Sequence, residues 1–282
     1  MPDLFFTMQR PAPCRAEVFL RQDCGLSHRQ LSHLKAISGG ITVNDTTLRT
    51  IDIVEPGTVV RLRLEDTSHL TPNPSLHVPV VFEDDDLLVF DKPAGMPVHP
   101  SQNHREDTLG NAFAAVWQEL TFRPVHRLDQ DTSGLTAVAK HALAASSLPS
   151  RLTKTYLALT DGTPPEEGTV NVPIARVPDS IIARRAGQDE NDGKHAVTHF
   201  RVLSRGKYTL LALTLETGRT HQIRVHMAHI GCPLAGDGLY GGNMMDISRH
   251  ALHCAALDYV DRSGTVQHIV SPLPKDMAAL LE

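Results

Sequence analysis

Pro124-Val125-His126-Arg127-Leu128-Asp129-Gln130-Asp131-Thr132-Ser133-Gly134-Leu135 is the stretch on which the chain turns. Charged and hydrogen-bonding groups crowd its first ten residues, and the run from Leu135 to Ala139 is apolar. A strand feeding a tight turn that aims one carboxylate into a cleft is expected from this pattern, with Asp129 as the candidate catalytic residue. A carboxylate that serves as nucleophile or base must stay ionised where water is excluded, although burial alone raises a carboxyl pKa. An arginine counter-ion offsets that effect. Arg219 and Arg224, beside the turn at Thr217-Gly218, are the candidates.

Other chemistries fit less well. Triad residues converge from separate segments, and no Gly-x-Ser-x-Gly elbow is present, so Ser133 and His126 do not make a Ser-His-Asp site with Asp129. His221, His226 and His229 lie close together, with His250 and His253 further on. Five-residue spacing does not put His221 and His226 on one helical face, and no His-Glu-x-x-His occurs, so structural or ligand-facing roles are a better reading than metal. Gly236-Asp237-Gly238 lacks the spacing and the lysine of a phosphate-binding loop. Cys14, Cys24, Cys232 and Cys254 are far apart and read as free thiols of a reducing cytoplasm, with no metal expected.

The 282 residues suit one large domain and a small companion. With 41% hydrophobic and 21% charged residues the composition is that of a soluble globular protein. No apolar run approaches the ~18 residues of a membrane span, and Met1 to Gln9 shows no secretory signal. The net charge of −5 argues against a basic shell that coats nucleic acid. Arg176 to Arg224 nevertheless holds nine Lys and Arg against five acids, so a polyanion would bind in that half.

Residues 13–65 read as helix, hairpin, strand. Ser27 and Gln30 form a capping box with Leu26 and Leu31 as its hydrophobic staple. Leu31, Leu34 and Ile37 give one apolar face, and Gly39-Gly40 ends the helix. Ile41 to Asn44 enters a turn at Asn44-Asp45, and Val59 to Leu64 alternates arginine with leucine. Residues 71–79 carry three prolines and read as a semi-rigid linker. Beyond it, Val80 to Phe82 and Leu87 to Phe90 form a hairpin. Asp107 is expected to cap a helix whose face is Leu109, Ala112, Phe113, Val116 and Leu120. A short helix follows at His141 to Leu148, and strands at Lys154 to Leu159, Val197 to Val202 and Tyr208 to Glu216. A flexible tip is expected at Asp189 to Gly193. Ile223, Met227 and Ile230 mark a helix ending at Gly231, before a final strand-turn-strand. Strands and helices do not alternate regularly, so α+β is favoured over a doubly wound sheet.

Residues 13–70 resemble an S4-like RNA-binding domain through Gly25-Leu26-Ser27, Arg29, Lys35, Gly40, Val43-Asn44 and Pro56-Gly57. The alternative is a small αβ domain that only packs on its neighbour; seven basic residues against six acids at 13–65 leave its basic footprint thin. About residues 80–275 resemble the RluA-type pseudouridine synthases, within an expected catalytic domain of residues 80–282. The motifs, in order, are Asp91-Lys92-Pro93-Ala94-Gly95-Met96, His126-Arg127-Leu128-Asp129, Lys154-Thr155-Tyr156 and Gly193-Lys194. Thr217-Gly218-Arg219-Thr220-His221-Gln222-Ile223-Arg224, Gly236-Asp237, Leu239-Tyr240-Gly241 and Leu252-His253 complete the set.

The resemblance implies a pseudouridine synthase fold, with a central mixed, mostly antiparallel sheet flanked by helices. It implies that Asp129 attacks or deprotonates the ribose of a target uridine. Tyr156 would stack on the flipped base and help proton transfer, Arg224 would pair with Asp129, and Leu252 would pack beneath the base. Arg127 would hold the flipped nucleotide's place, Arg219 would meet phosphate, and His126, Arg29 and Lys35 would face RNA. The rearrangement needs no cofactor. The expected partner is structured RNA, ribosomal or transfer, with ribosomal RNA favoured by the S4-like companion; a cytoplasmic monomer without membrane contact is expected. A catalytically idle RNA-binding or ribosome-assembly factor on the same fold is the alternative, and the intact Asp129, Tyr156 and Arg224 favour the enzyme.

Overall fold

A computed structural model describes residues 3–63 and 70–282. In the N-terminal unit, strands Asp3–Thr7, Val59–Arg63, Ile41–Val43 and Thr46–Thr47 pair in that order into an antiparallel sheet. The unit therefore begins before residue 13, where the sequence reading starts it. Asp3–Thr7 alternates weakly in polarity and declares itself only through its partner strand. The expected strand end at Leu64, and the rest of 64–69, lie outside the described residues.

Helix His28–Ala36 has the anticipated capping box. Gln30 N donates to Ser27 Oγ at 3.3 Å, and Ser27 N donates to Gln30 Oε1 at 2.8 Å. Leu26, Leu31 and Leu34 are buried beneath it. A Cβ on Gly40 would lie 2.1 Å from the Leu34 carbonyl, so the helix end needs glycine there. Asn44 and Asp45 take φ of +48° and +61°, the left-handed pair of a two-residue hairpin turn.

The larger unit is built on one sheet. Its main path runs Glu167–Asn171, Val197–Arg205, Thr209–Leu215, Leu152–Thr160, Leu252–Val260, Ser133–Ala139, Leu87–Lys92, Val80–Glu83. Val266–Val270 pairs beside Leu252–Val260. Among the described residues, the pair Leu252–Val260 with Ser133–Ala139 is parallel and the other neighbours are antiparallel, so the sheet is mixed but mostly antiparallel. The fold is α+β, as the irregular order of elements predicts.

Strand Ser133–Ala139 is buried at every residue. It follows the polar loop instead of feeding it: the chain passes through 124–132 and then enters the sheet. Gly134 explains the Ser-Gly pair. Its φ is +105°, and a Cβ would lie 2.3 Å from the Cys254 carbonyl on the parallel neighbour. The turn-like composition thus marks a close approach of two strands.

Helix Leu109–Val116 is capped by Thr108 and not by Asp107. Asn111 N donates to Thr108 Oγ1 at 3.3 Å, and Thr108 N donates to Asn111 Oδ1 at 3.1 Å. Leu109, Ala112 and Phe113 are buried as expected, but Val116 is exposed because the helix ends there and Trp117 turns in against Phe90 and Phe113. Helix Ala142–Arg151 starts after His141, whose Nδ1 accepts from Ala144 N at 3.1 Å. The 189–193 tip is tied down: Arg185 grips Asp192 with bonds of 2.6 and 3.0 Å.

The two units touch at the start of helix Ala142–Arg151. Leu143 is buried in the core of the N-terminal unit, and Gln30 Nε2 donates to the Ala142 carbonyl at 3.0 Å. Arg262 stands 5.7 Å over the Phe6 ring while pairing with the buried Asp86.

Candidate active site

The loop 124–132 opens onto a cleft of about 1020 Å³. Its backbone is held from three sides. Thr132 N donates to the Asp129 carbonyl at 3.1 Å, closing the turn. Thr132 Oγ1 lies 2.8 Å from His250 Nε2, and Arg249 Nη1 donates to the Asp131 carbonyl at 3.1 Å. Lys92, at the end of its strand, is buried and donates to the carbonyls of Pro93, Met96 and Gln130 at 2.8, 2.7 and 3.0 Å. Three carbonyls match the three N–H groups of an ammonium, while burial pushes the Lys92 pKa down to about 7.

Asp129 points at helix Gln222–His229. Arg224 Nη1 is 3.2 Å from Asp129 Oδ2. Arg224 is itself only 7% exposed, which an unpaired guanidinium does not tolerate. Its Nε and Nη2 make a bidentate pair with the buried Asp237 at 2.7 and 2.8 Å. The Tyr240 ring lies 5.0 Å from the guanidinium carbon. Burial lowers the Arg224 pKa, but the bonds and charges of Asp237 and Asp129 outweigh it and the net shift is upward. Arg224 is therefore a fixed cation with one nitrogen left for Asp129.

His221 sits where helix Gln222–His229 begins, in a left-handed conformation with φ +58°. Its Nε2 is 3.8 Å from Asp129 Oδ2 and its Nδ1 is 2.8 Å from Tyr240 Oη. Burial and then the Arg224 charge lower its pKa against the pull of Asp129, which leaves a neutral imidazole beside the carboxylate.

Tyr156 lies on strand Leu152–Thr160, where the pairing with Leu252–Val260 shifts register. It is buried, and that burial, with Cys254 and Asp129 nearby, pushes its hydroxyl pKa well above the ordinary value. Leu252 begins the neighbouring strand, and both side chains line the cleft that Asp129 opens into. The expected arrangement, Arg224 paired with Asp129 and Tyr156 in the same cleft, is present.

His126 also lines the cleft, donating from Nε2 to the Leu135 carbonyl at 3.1 Å. Burial, then Lys154, lowers its pKa to about 4. Arg127 and Arg219 stand exposed at the rim, the latter donating to the His195 carbonyl at 2.9 Å. Arg29 and Lys35 are exposed on the N-terminal unit and do not line the cleft. Of the basic half of the chain, Arg176, Arg184, Arg219 and Arg224 line it, while Arg205 and Lys207 are spent on Glu166 and Asp246.

Sequence reasoning quoted Asp237, Tyr240, His221 and Lys92 within motifs but gave them no part in holding the site. Asp237 follows a glycine at φ +73° whose Cβ would meet the Arg249 carbonyl at 2.1 Å. A Gly-Asp pair beside a loop tyrosine was the available signal. Among the described residues no three His, Cys, Asp or Glu are grouped to hold a metal. His226 instead meets Thr198 Oγ1 and the Val172 carbonyl, both at 2.9 Å.

Comparison with known proteins gives a consistent result. A family model described as RNA pseudouridylate synthase matches residues 86–229. The Bacillus subtilis protein described as uncharacterized RNA pseudouridine synthase YlyB is 40% identical over 261 residues, covering 86% of this chain and 85% of its own. Ribosomal large subunit pseudouridine synthase D of Xanthomonas campestris is 37% identical over 271 residues, 86% of this chain and 81% of that protein. Among solved structures, human RNA pseudouridylate synthase domain containing 1 is 27% identical, with a TM-score of 0.59 over 72% of this chain and 86% of that one.

Proposed function

The chain belongs to the RNA pseudouridylate synthase family, enzymes that isomerise uridine in RNA, and from that premise we propose that it modifies large-subunit ribosomal RNA, with Asp129, Arg224 and Tyr156 carrying the reaction. The target is supported by the relatives described as ribosomal large subunit pseudouridine synthase D. The alternative of an idle binding factor on the same fold is not favoured, since the relatives are described as synthases.

One observation carries the assignment of residues: the 3.2 Å pair of Asp129 and Arg224 in a cleft rimmed by arginines. The rims meet phosphate, and a base leaves the stack to reach the cleft. Asp129 attacks C1′ or removes a ribose proton, and the bond from C1′ to uracil N1 breaks. Arg224 balances charge on Asp129 throughout, and Asp237 keeps Arg224 from swinging away. The freed uracil turns between Tyr156 and Leu252 until C5 faces C1′. As the new C5–C1′ bond forms, the Asp129–C1′ bond breaks or Asp129 returns the ribose proton; C5 then gives up its hydrogen and N1 gains one, so substrate and product have the same atoms. That stoichiometry calls for no oxidant, reductant or group donor. Tyr156, a neutral phenol at working pH, stacks on the base and relays the proton.

In this reading Arg127 fills the space the uridine leaves, Arg219 holds a phosphate, and His126 braces the catalytic loop against Leu135. The N-terminal unit acts as an S4-like RNA-binding domain through Arg29 and Lys35, joined by the linker 71–79 to the catalytic domain 80–282. A cytoplasmic monomer is sufficient. No helix among the described residues is long and apolar enough to cross a membrane.

The test is expression in a host lacking its own large-subunit synthases, followed by pseudouridine mapping. New sites in large-subunit ribosomal RNA are expected with the wild type and none with Asp129→Ala. Identical maps for the two proteins sink the assignment of Asp129. New sites confined to transfer RNA sink the assignment of the target.

A further inference from the structure

At the rim of the cleft, strands Ile174–Arg176 and Arg184–Ala186 pair as a hairpin. At its tip Ile181 is 90% exposed and Ile182 61%. Scattered surface hydrophobics need no explanation, but two adjacent isoleucines on a protruding turn are an apolar edge.

The tip is not a loose loop. Ser180 Oγ accepts from Ile182 N at 3.3 Å and from Ala183 N at 2.9 Å. Ser180 N donates to the Val177 carbonyl at 3.2 Å, and Asp179 takes φ +59° to allow the turn. Arg184 Nη1 donates to the carbonyls of Ile182 and Ala183, both at 2.9 Å. The base of the hairpin is wired to the site: Arg184 N donates to Tyr240 Oη at 3.0 Å, the oxygen that also meets His221. A self-bonded frame therefore holds the two isoleucines out in water, where they would otherwise collapse onto the surface.

We propose that Ile181 and Ile182 form an apolar wedge that packs against RNA bases next to the target uridine, with Arg176 and Arg184 holding the flanking phosphates. This rests on the reading that the cleft takes RNA. With Arg127 in the gap left by the extruded nucleotide, bases splayed beside the target still offer unstacked apolar faces, which aliphatic side chains cover in other nucleic-acid complexes. Two features favour RNA over a protein partner. The tip is continuous with the cleft, since Arg176 and Arg184 on its two strands both line it. The hairpin strands add Arg185 as a further cation, although paired to Asp192, against Asp179 alone in the turn.

The test uses the full chain and total RNA from a strain deleted for this gene, labelled with tritium at uracil C5. Each conversion releases tritium, so no site need be known. Ile181→Ser with Ile182→Ser is expected to lower kcat/KM and RNA affinity about tenfold at unchanged melting temperature. Ile181→Leu with Ile182→Leu should stay within about twofold, and so should Val116→Ser, which removes an exposed apolar side chain elsewhere. Plots of log affinity against log salt should keep the wild-type slope in the serine variant, because no phosphate contact is lost. Arg176→Gln should flatten that slope. Wild-type kinetics and affinity in the serine variant overturn the wedge, as does a changed self-association with unchanged kinetics, which makes the tip a protein contact. If the wild type releases no tritium, the catalytic reading fails and the affinity comparison alone decides the wedge.

Discussion

Arg224 uses three nitrogens on two carboxylates, and the division between them sets the site. Asp237 takes two bonds in a buried bidentate pair and leaves one for Asp129. Asp237→Asn keeps the shape and removes the charge, so Arg224 becomes an undercompensated buried cation. Loss of about 3–5 kcal/mol of stability is expected in urea unfolding, with a fall of about a hundredfold in single-turnover rate as Asp129 loses its alignment. A variant with wild-type stability would make Asp237 a bystander. Asp129→Asn is the complementary change. It should abolish turnover and leave RNA affinity within about twofold in filter binding, because phosphate contacts supply most of that affinity. A matching loss of both would make Asp129 structural.

At the scale of elements, the loop 124–132 is precise because of what it is bonded to. Gly134 lets strand Ser133–Ala139 lie against Leu252–Val260, and Gly134→Ala is expected to cost about 2–5 kcal/mol, read from the unfolding midpoint, through a clash and a disfavoured φ. The same region responds to acid. His126 is half-buried and His250 is buried, and desolvation lowers their pKa values to about 4 and about 2 from an ordinary 6.5. Below pH 6.5 the unfolded chain takes up protons that the folded chain does not, so stability falls as pH drops from 6.5 toward these values. Urea titrations at pH 7, 6 and 5 should show the decline, and His250→Asn should make it shallower. An unchanged slope would mean that His250 is charged in the fold or already neutral in the unfolded chain.

On the scale of the whole molecule, the two units meet through few contacts. Leu143 enters the core of the N-terminal unit and Gln30 reaches the Ala142 carbonyl. The same helix that carries Gln30 carries Arg29 and Lys35, and the helix it docks on holds Pro149 in its last turn, which lines the cleft together with Leu152 just beyond the helix end. Leu143→Ser should loosen this joint. About a tenfold rise in KM with kcat within twofold is expected in the tritium-release assay, together with a larger radius of gyration in solution scattering. A fall in kcat with constant KM would place the effect in the catalytic domain instead. Truncation of residues 1–70 should likewise weaken RNA binding more than it disturbs the catalytic fold.

Local chemistry was legible in the sequence. The capping box of Ser27 and Gln30, the turn at Asn44-Asp45, the hairpin after residue 80 and the helix bearing Ile223 and Met227 depend on neighbours within a few residues, and they appear as expected. Ordered motifs along the chain also pointed to Asp129, Tyr156 and Arg224 as candidates, and the fold brings them to one cleft. What the sequence could not show was contact between distant segments. The strand Asp3–Thr7 exists because Val59–Arg63 pairs with it, the cap of helix Leu109–Val116 moved to Thr108 because Asn111 faces it, and Gly134 is fixed by Cys254 more than a hundred residues away. The carboxylate at 237, the imidazole at 221 and the ammonium at 92 became parts of the site in the same way. Hydrogen bonds and charge pairing act over a few ångströms, so their partners are set by the packed fold, whereas backbone dihedral preferences and apolar periodicity are written locally in the chain.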